Sequence, residues 1–286
     1  MRLLNIYRIA ALCLILTGIH GCKKDNNTVG TPIPPVTPAN DVQLKVDSHF
    51  GSVLTDEKGK TLYFFSPDAN GSSACTGNCL VSWPVFYKSS PTLDAGLTSS
   101  DFATITRADG SKQTTYKGWP LYYFTGDAVA GDIKGDAVER IWFVAKPDYT
   151  VMIAVNQLVG NDSKQYDSLY HVGTGETQYL TDDRGITLYA FSFDKSGQNN
   201  YTLSDFSNDS FWPIVQITSI GAVPSTLDKS MFGTLTVFGK TQISFKGWPV
   251  YRFGPDGSIR GNTKGVSVPS PGVWPVMDQF STEAPQ

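Results

Sequence analysis

The sequence has few of the side chains that most catalytic and metal sites use. It contains only three histidines and four cysteines in 286 residues. The motifs G-x-S-x-G and H-E-x-x-H and the P-loop are all absent. One S-x-x-K match, residues 192–195, overlaps a repeated segment whose other copies lack both residues, so we interpret it as accidental. No catalytic constellation is recognised, and we expect the protein not to be an enzyme.

Charge and long apolar runs are also scarce. Charged residues make up 17% of the chain, and the formal net charge is -3. No basic stripe occurs past Lys24, which argues against nucleic-acid binding. Past the N-terminal segment, no run is long and apolar enough to span a bilayer. Aromatic residues, at 12%, are abundant, as are glycine (27) and proline (17), a composition typical of short strands joined by many turns.

The N-terminal segment has the features of a signal peptide. Arg2 and Arg8 make its start positive, and the apolar run over residues 9–16 is too short to span a bilayer. The run leads to the sequence IHGC at residues 19–22, which resembles the bacterial lipobox. That resemblance implies a lipoprotein signal peptide over residues 1–21, cleavage after it, and acylation of Cys22 with chains such as palmitate.

Residues 22–41 are predicted to be a tether. Their proline-rich sequence TPIPPVTPAN favours an extended polyproline II conformation over a packed core. Lys23, directly after the cysteine, resembles the sorting signal of outer-membrane lipoproteins. We therefore predict a body in the cell envelope that the lipid on Cys22 anchors to the membrane, with the outer membrane as the expected location, on its periplasmic or surface face.

The rest of the chain consists of two copies of one module. The sequence LTDEKGKTLYFF at residues 54–65 recurs as LTDDRGITLYAF at 180–191, and YKGWPLYYF at 116–124 recurs as FKGWPVYRF at 245–253. TVMIAV at residues 150–155 also repeats the predicted strand VQLKV at 42–46. We assign module one to residues 42–148 and module two to residues 149–286. The polar stretch 160–175 has no counterpart and is interpreted as an inserted surface loop.

Each module contains two units of related design. A unit has a strand with a tyrosine, an aromatic residue two positions later and an aspartate five positions later, and a loop that ends at a tryptophan. The four sets are Tyr63, Phe65 and Asp68; Tyr122, Phe124 and Asp127; Tyr189, Phe191 and Asp194; and Tyr251, Phe253 and Asp256. The four tryptophans are Trp83, Trp142, Trp212 and Trp274.

This tandem pattern, together with the sequence SACTGNC at residues 73–79 just before Trp83-Pro84, resembles a family of secreted-repeat lipoproteins. The resemblance covers nearly all of residues 42–277. It implies a secreted or envelope location and a molecular function that is not established.

Strand periodicity suggests a structural role for the repeated residues. The tyrosine and the following aromatic residue share one face of a strand. The position between them is Phe64, Tyr123, Ala190 or Arg252, and a position that accepts arginine is not deep core. We therefore predict that the four tyrosine and phenylalanine pairs face the core and that the four aspartates accept hydrogen bonds from turn N–H groups. Two alternatives stay open: calcium ligation by the aspartates, and glycan binding by exposed aromatics such as Phe64, Tyr87 and Tyr123.

The cysteines divide between processing and structure. Cys13 leaves with the signal peptide and Cys22 carries lipid, so only Cys75 and Cys79 remain, in an oxidising compartment. We predict a disulfide between them. A copper or zinc site and a redox-active dithiol are the alternatives, and either would belong to module one alone, because module two lacks the pair.

The predicted fold is all-β and antiparallel, with two pseudo-symmetric modules that form small barrels or sandwiches; the alternative is a four-bladed propeller made from the four units. The predicted function is that of a lipid-anchored envelope lipoprotein with a non-catalytic binding or structural role. Its expected partners are the membrane and an unknown envelope protein or ligand, with no cofactor, metal or nucleic acid. The alternative function is redox or copper handling by Cys75 and Cys79.

Overall fold

The computed structural model describes residues 39–286, which form one unit, Ala39–Gln286. The predicted signal peptide, Cys22 and most of the predicted tether lie outside the described residues. Within residues 39–286, the regular structure consists of thirteen short β-strands, one helical turn (α1, Cys79–Ser82) and several 3-10 turns. The strands are β1 (Val42–Asp47), β2 (Gly51–Asp56), β3 (Tyr63–Phe65), β4 (Phe102–Thr106), β5 (Lys112–Tyr116), β6 (Trp119–Pro120), β7 (Trp142–Val144), β8 (Val151–Val159), β9 (Gln165–Tyr166), β10 (Glu176–Asp182), β11 (Phe232–Val237), β12 (Lys240–Phe245) and β13 (Trp248–Pro249).

These strands pair antiparallel in five small sheets, which confirms the all-β antiparallel prediction. The sheets have the orders β1-β2, β3-β7, β4-β5-β6, β10-β8-β9 and β11-β12-β13. Among the described strands, no sheet closes into a barrel. The propeller alternative is not confirmed.

The strand register reproduces the repeat seen in the sequence. Val42 of β1 lies opposite Asp56 of β2, and Val151 of β8 lies opposite Asp182 of β10. The turn that follows Asp56 ends at Gly59 with a φ of +76°, and its counterpart Gly185 has a φ of +81°. This left-handed conformation favours glycine, so both copies need the same residue at this turn.

The polar stretch 160–175 lies mostly at the surface, as predicted, and its residues 165–166 form strand β9 of a hairpin with β8. Leu158, near the end of β8, lies opposite Tyr166 of β9. Tyr166 is only 2% exposed and packs in the main hydrophobic cluster. Burial of this tyrosine stabilises the hairpin.

At the centre of each module, the two motif tyrosines are direct backbone partners. The N–H groups of Tyr63 and Tyr122 donate to each other's carbonyl oxygens at 2.9 and 3.1 Å. Tyr189 and Tyr251 exchange the same two bonds, both at 2.9 Å. The two units of a module are therefore joined by backbone hydrogen bonds between their tyrosines, although about sixty residues of sequence separate these tyrosines.

The prediction that the position between tyrosine and phenylalanine faces outward is wrong in the first unit of each module. Phe64 is 3% exposed and Ala190 is 2% exposed, whereas Tyr123 and Arg252 are half-buried. β3 is covered on both faces, because Phe64 packs against Tyr116 and other aromatic rings on the side away from Tyr63. Phe64 therefore offers no surface for stacking on a glycan.

Candidate functional site

Each motif tyrosine donates a hydrogen bond to the aspartate of the other unit in its module. The four bonds run from Tyr63 Oη to Asp127 Oδ2 (2.6 Å), from Tyr122 Oη to Asp68 Oδ2 (2.6 Å), from Tyr189 Oη to Asp256 Oδ2 (2.6 Å) and from Tyr251 Oη to Asp194 Oδ2 (2.7 Å). All eight residues are buried. Every repeated tyrosine and aspartate therefore belongs to a reciprocal cross-link between units.

The second oxygen of each carboxylate holds the loop that follows it. Oδ1 accepts a backbone N–H from a residue six to eight positions later. The donors are Ala74 to Asp68 (2.6 Å), Lys134 to Asp127 (2.8 Å), Asn200 to Asp194 (2.6 Å) and Lys264 to Asp256 (2.8 Å). The aspartates therefore accept backbone N–H groups, as predicted. The donors lie six to eight residues later, further along the loop than the donors of an immediate turn.

Burial raises the pKa of all four carboxyl groups above the ordinary value of 3.8. The pKa of Asp68 rises to about 7 and those of Asp194 and Asp256 to about 6, because removal from water disfavours the charged form. Asp127 shifts in the same direction for the same reason. The tyrosine and backbone hydrogen bonds oppose these shifts.

The motif phenylalanines and the loop-ending tryptophans form a stack of four rings in each module. In module one, Trp83 and Trp142 lie 3.7 Å apart with ring planes 2° from parallel. Phe124 covers the outer face of Trp83 at 4.3 Å, and Phe65 covers that of Trp142 at 4.0 Å. The corresponding stack in module two has the order Phe253, Trp212, Trp274 and Phe191. Such stacks contribute packing energy beyond the area that they bury.

A glycine seals the edge of each stack. The N–H of Gly135 points to Tyr63 Oη at 3.3 Å, and the N–H of Gly265 points to Tyr189 Oη at the same distance. A Cβ at Gly135 would lie 2.8 Å from the Trp83 ring, closer than real side chains pack. The hydroxyl groups of Tyr63 and Tyr189 are therefore covered by backbone at this edge.

Cys75 and Cys79 form a disulfide, as predicted, with their Cα atoms 5.4 Å apart. Cys75 is 1% exposed. Arg107 fixes the loop by donating from Nη2 to the Cys75 carbonyl oxygen (2.6 Å) and from Nη1 to Gln113 Oε1 (2.6 Å) and to Ser73 Oγ. Over residues 39–286, histidine, cysteine and acidic side chains nowhere form a group of three or more that is arranged to hold a metal.

Two segments of the chain, residues 45–87 and 103–146, match a lipoprotein family model described as a secreted repeat of unknown function. Each segment contains one complete tyrosine, phenylalanine and aspartate set. Both segments are similar to this secreted repeat. The resemblance inferred from the sequence is thereby confirmed for module one, and the family's description as secreted is consistent with an extracellular or envelope location. No curated protein and no solved structure matches the chain.

Sequence reasoning missed two buried glutamines, one in each module, that link neighbouring backbone segments. Gln113 is fully buried, and its Nε2 donates to the Leu121 carbonyl oxygen at 2.9 Å; in module two, Gln242 does the same to Val250 at 2.9 Å. Their position three residues before the aromatic-Lys-Gly-Trp-Pro segment is the signal that would have found them.

Outside the buried pairs, each module has an open cleft beside the first aspartate of the LTD segment. In module one, Tyr123 Oη donates to Asp56 Oδ2 at 3.0 Å, in a cleft of about 450 Å³. In module two, Arg252 Nη2 donates to Asp182 Oδ2 at 2.7 Å, in a cleft of about 440 Å³.

In the described part of the chain, no helix has the length and apolar character needed to cross a membrane.

Proposed function

We propose that this chain is a lipid-anchored envelope lipoprotein whose repeat body has a non-catalytic binding or structural role. One observation carries the proposal for the body. The residues that recur in all four units bind one another in buried pairs and ring stacks, so the repeat pattern encodes a scaffold and not a reaction centre. The surfaces that differ between the units are the candidates for binding another envelope component or a ligand.

The anchor is supported by the N-terminal sequence. The lipobox-like IHGC sequence precedes a proline-rich stretch that ends near the first strand, at residue 42. Some twenty residues in an extended conformation, at ~3.1 Å each, would hold the body on the order of 60 Å from the lipid surface. A body at the end of such a tether is suited to contact other envelope components.

Metabolic labelling with a palmitate analogue tests the anchor. Cys22→Ala should abolish both labelling and membrane attachment, because the acylated thiol is lost. Cys13→Ala is the matched control and should leave both unchanged, since that residue lies inside the predicted signal peptide. Retention of the Cys22→Ala protein in the membrane fraction would refute the anchor.

Crosslinking in intact envelopes tests the role of the body. We expect a component that crosslinks to the full chain and not to a control in which residues 1–41 carry an unrelated soluble domain. Turnover by the purified chain in a screen of ester, glycoside and peptide substrates would contradict the non-catalytic role.

A further inference from the structure

The two clefts beside Asp56 and Asp182 occupy equivalent places in the two modules. The N–H of Gly131 donates to the Gly59 carbonyl oxygen at 3.0 Å, and the N–H of Gly261 donates to that of Gly185 at 2.9 Å. The residue before each donor therefore lies beside the same turn in each module: Ala130 in module one and Arg260 in module two. A Cβ at Gly59 would lie 3.2 Å from Ala130 Cβ, and one at Gly185 would lie 2.9 Å from Arg260 Cζ.

The clefts differ in charge, and two of the differing positions supply the guanidinium groups of the second. Module one has Tyr123 and Ala130 where module two has Arg252 and Arg260. Module one also completes the second cleft: Arg260 Nη1 donates to the Lys117 carbonyl oxygen at 2.7 Å, and the guanidinium lies over the Trp119 ring, 4.7 Å from its centroid. Cleft two, as we call it, is lined by Lys117, Asp182, Arg184, Arg252 and Arg260.

The acidic side chains around cleft two are already engaged. Asp182 accepts from Arg252 (2.7 Å), Asp183 from Lys117 (2.8 Å) and Asp101 from Arg184 (2.6 Å). Each of these carboxylates has one basic ion-pair partner, whereas Asp182, Asp68 and Asp183 act on Arg260 only at longer range. The lining of cleft two carries four basic side chains and one acidic side chain, Asp182.

Three guanidinium nitrogen atoms in cleft two have no hydrogen-bond acceptor within residues 39–286. They are Nε of Arg252 and Nε and Nη2 of Arg260, and all three nitrogen atoms are buried. Burial lowers the pKa of Arg260 only to about 10, so its guanidinium is charged at neutral pH. A charged donor without an acceptor is costly, and an oxyanion in the cleft is the group that best satisfies it once the guanidinium turns toward the cleft.

We propose that cleft two binds the oxyanion group, phosphate or carboxylate, of a small ligand through Arg252 and Arg260. Planar guanidinium forks match both groups with paired hydrogen bonds. The cleft volume of about 440 Å³ suits a small molecule. The inference names a ligand class for the binding role proposed above and rests on that role.

Calorimetric titration of the full chain in detergent tests the site, with inorganic phosphate and succinate as separate probes at constant ionic strength. Saturable binding of either probe is expected, and the two titrations distinguish a phosphate ligand from a carboxylate ligand. The double variant Arg252→Tyr and Arg260→Ala should weaken binding at least about tenfold, because each tenfold loss corresponds to one modest charged contact. Both new residues already occur at these places in module one, so the fold should accept them.

Tyr123→Phe is the matched control, because it alters the module-one cleft and should leave probe binding unchanged. Circular dichroism and a thermal melt establish that each variant is folded. Absence of saturable binding, or equal affinity in the double variant, would overturn the site. If envelope crosslinking still captured a partner in that case, the binding role would stand without this ligand.

Discussion

The two modules share one buried scaffold but fix their first loops by different chemistry. In module one, a disulfide closes the loop after Asp68, and the buried Arg107 ties the Cys75 carbonyl oxygen to Gln113. In module two, Asn199 donates to the matching glutamine, Gln242, at 2.8 Å. A neutral amide thus replaces a cation and a covalent bond.

The comparison separates what the scaffold requires from what varies around it. Both modules need an aspartate that accepts one tyrosine O–H and one loop N–H, and both need a donor for the buried glutamine oxygen. The donor itself is interchangeable, since the side chain of Asn199 also accepts the N–H groups of Tyr201 and Thr202 and folds its own loop. Loop chemistry is therefore free to differ where the hydrogen-bond positions are kept.

The largest expected effect comes from removing a central ring of either stack. Trp142→Ala and Trp274→Ala should each lower the free energy of unfolding by about 3–5 kcal/mol, because each deletes a large buried side chain. Equal losses are expected, since both tryptophans are 2% exposed and lie 3.7 Å from their partner rings. Denaturant unfolding measures them, with Phe280→Ala, at a 74% exposed residue, as the control. A tolerated substitution in one module would show that the stacks are not equivalent.

The next effect comes from removing a tyrosine hydroxyl. Tyr122→Phe and Tyr251→Phe leave a buried carboxylate without its O–H donor, which should lower the free energy of unfolding by up to about 3 kcal/mol. Tyr87→Phe, at a 43% exposed residue, should change nothing measurable. Wild-type stability of both buried variants in denaturant titrations would mean that the cross-links contribute no net stability.

Removing the disulfide should have a smaller effect, confined to module one. The double variant Cys75→Ser and Cys79→Ser should cost about 2 kcal/mol, the chain-entropy value for so short a loop. Asn199→Ala is the comparison in module two and should cost about 1–2 kcal/mol, because the Gln242 oxygen loses a donor. A disulfide variant as stable as wild type would mean that Arg107 alone holds the loop.

The smallest effect is a difference in pH dependence between the modules. Burial raises the pKa of Asp68 to about 7 and that of Asp194 to about 6, so the folded chain keeps protons that the unfolded chain releases above about pH 4. Each group therefore contributes stability that is fully present below about pH 4 and is lost as pH rises towards the folded pKa. Asp68→Asn should reduce the decline in the free energy of unfolding with rising pH up to about pH 7, and Asp194→Asn should reduce it only up to about pH 6. Stability that instead rises with pH over this window in wild type, and is unaffected by Asp68→Asn, would contradict the raised pKa values.

The sequence predicted the strand content and the repeat well, but not which repeated residues touch. Hydrophobic alternation and turn glycines reflect interactions between residues close in sequence. The antiparallel strands around Gly59 and Gly185 could therefore be predicted from the sequence pattern. The prediction that Phe64 faces outward was wrong, because alternation distinguishes the two faces of a strand but does not show whether both faces are covered by other residues. The bond from Tyr63 to Asp127 spans 64 residues, and no local rule selects that partner over Asp68, five residues away.

The sequence by itself determined the duplicated plan of this protein and the residue types that every unit repeats, because identity at regular spacing needs no coordinates to be seen. Only the tertiary structure decided that each tyrosine binds the aspartate of the other unit. It also placed Arg252 and Arg260 with unpaired N–H groups in one cleft beside Lys117. The reason is physical: hydrogen-bond partners and charge balance depend on distances between segments far apart in the chain, which folding alone sets.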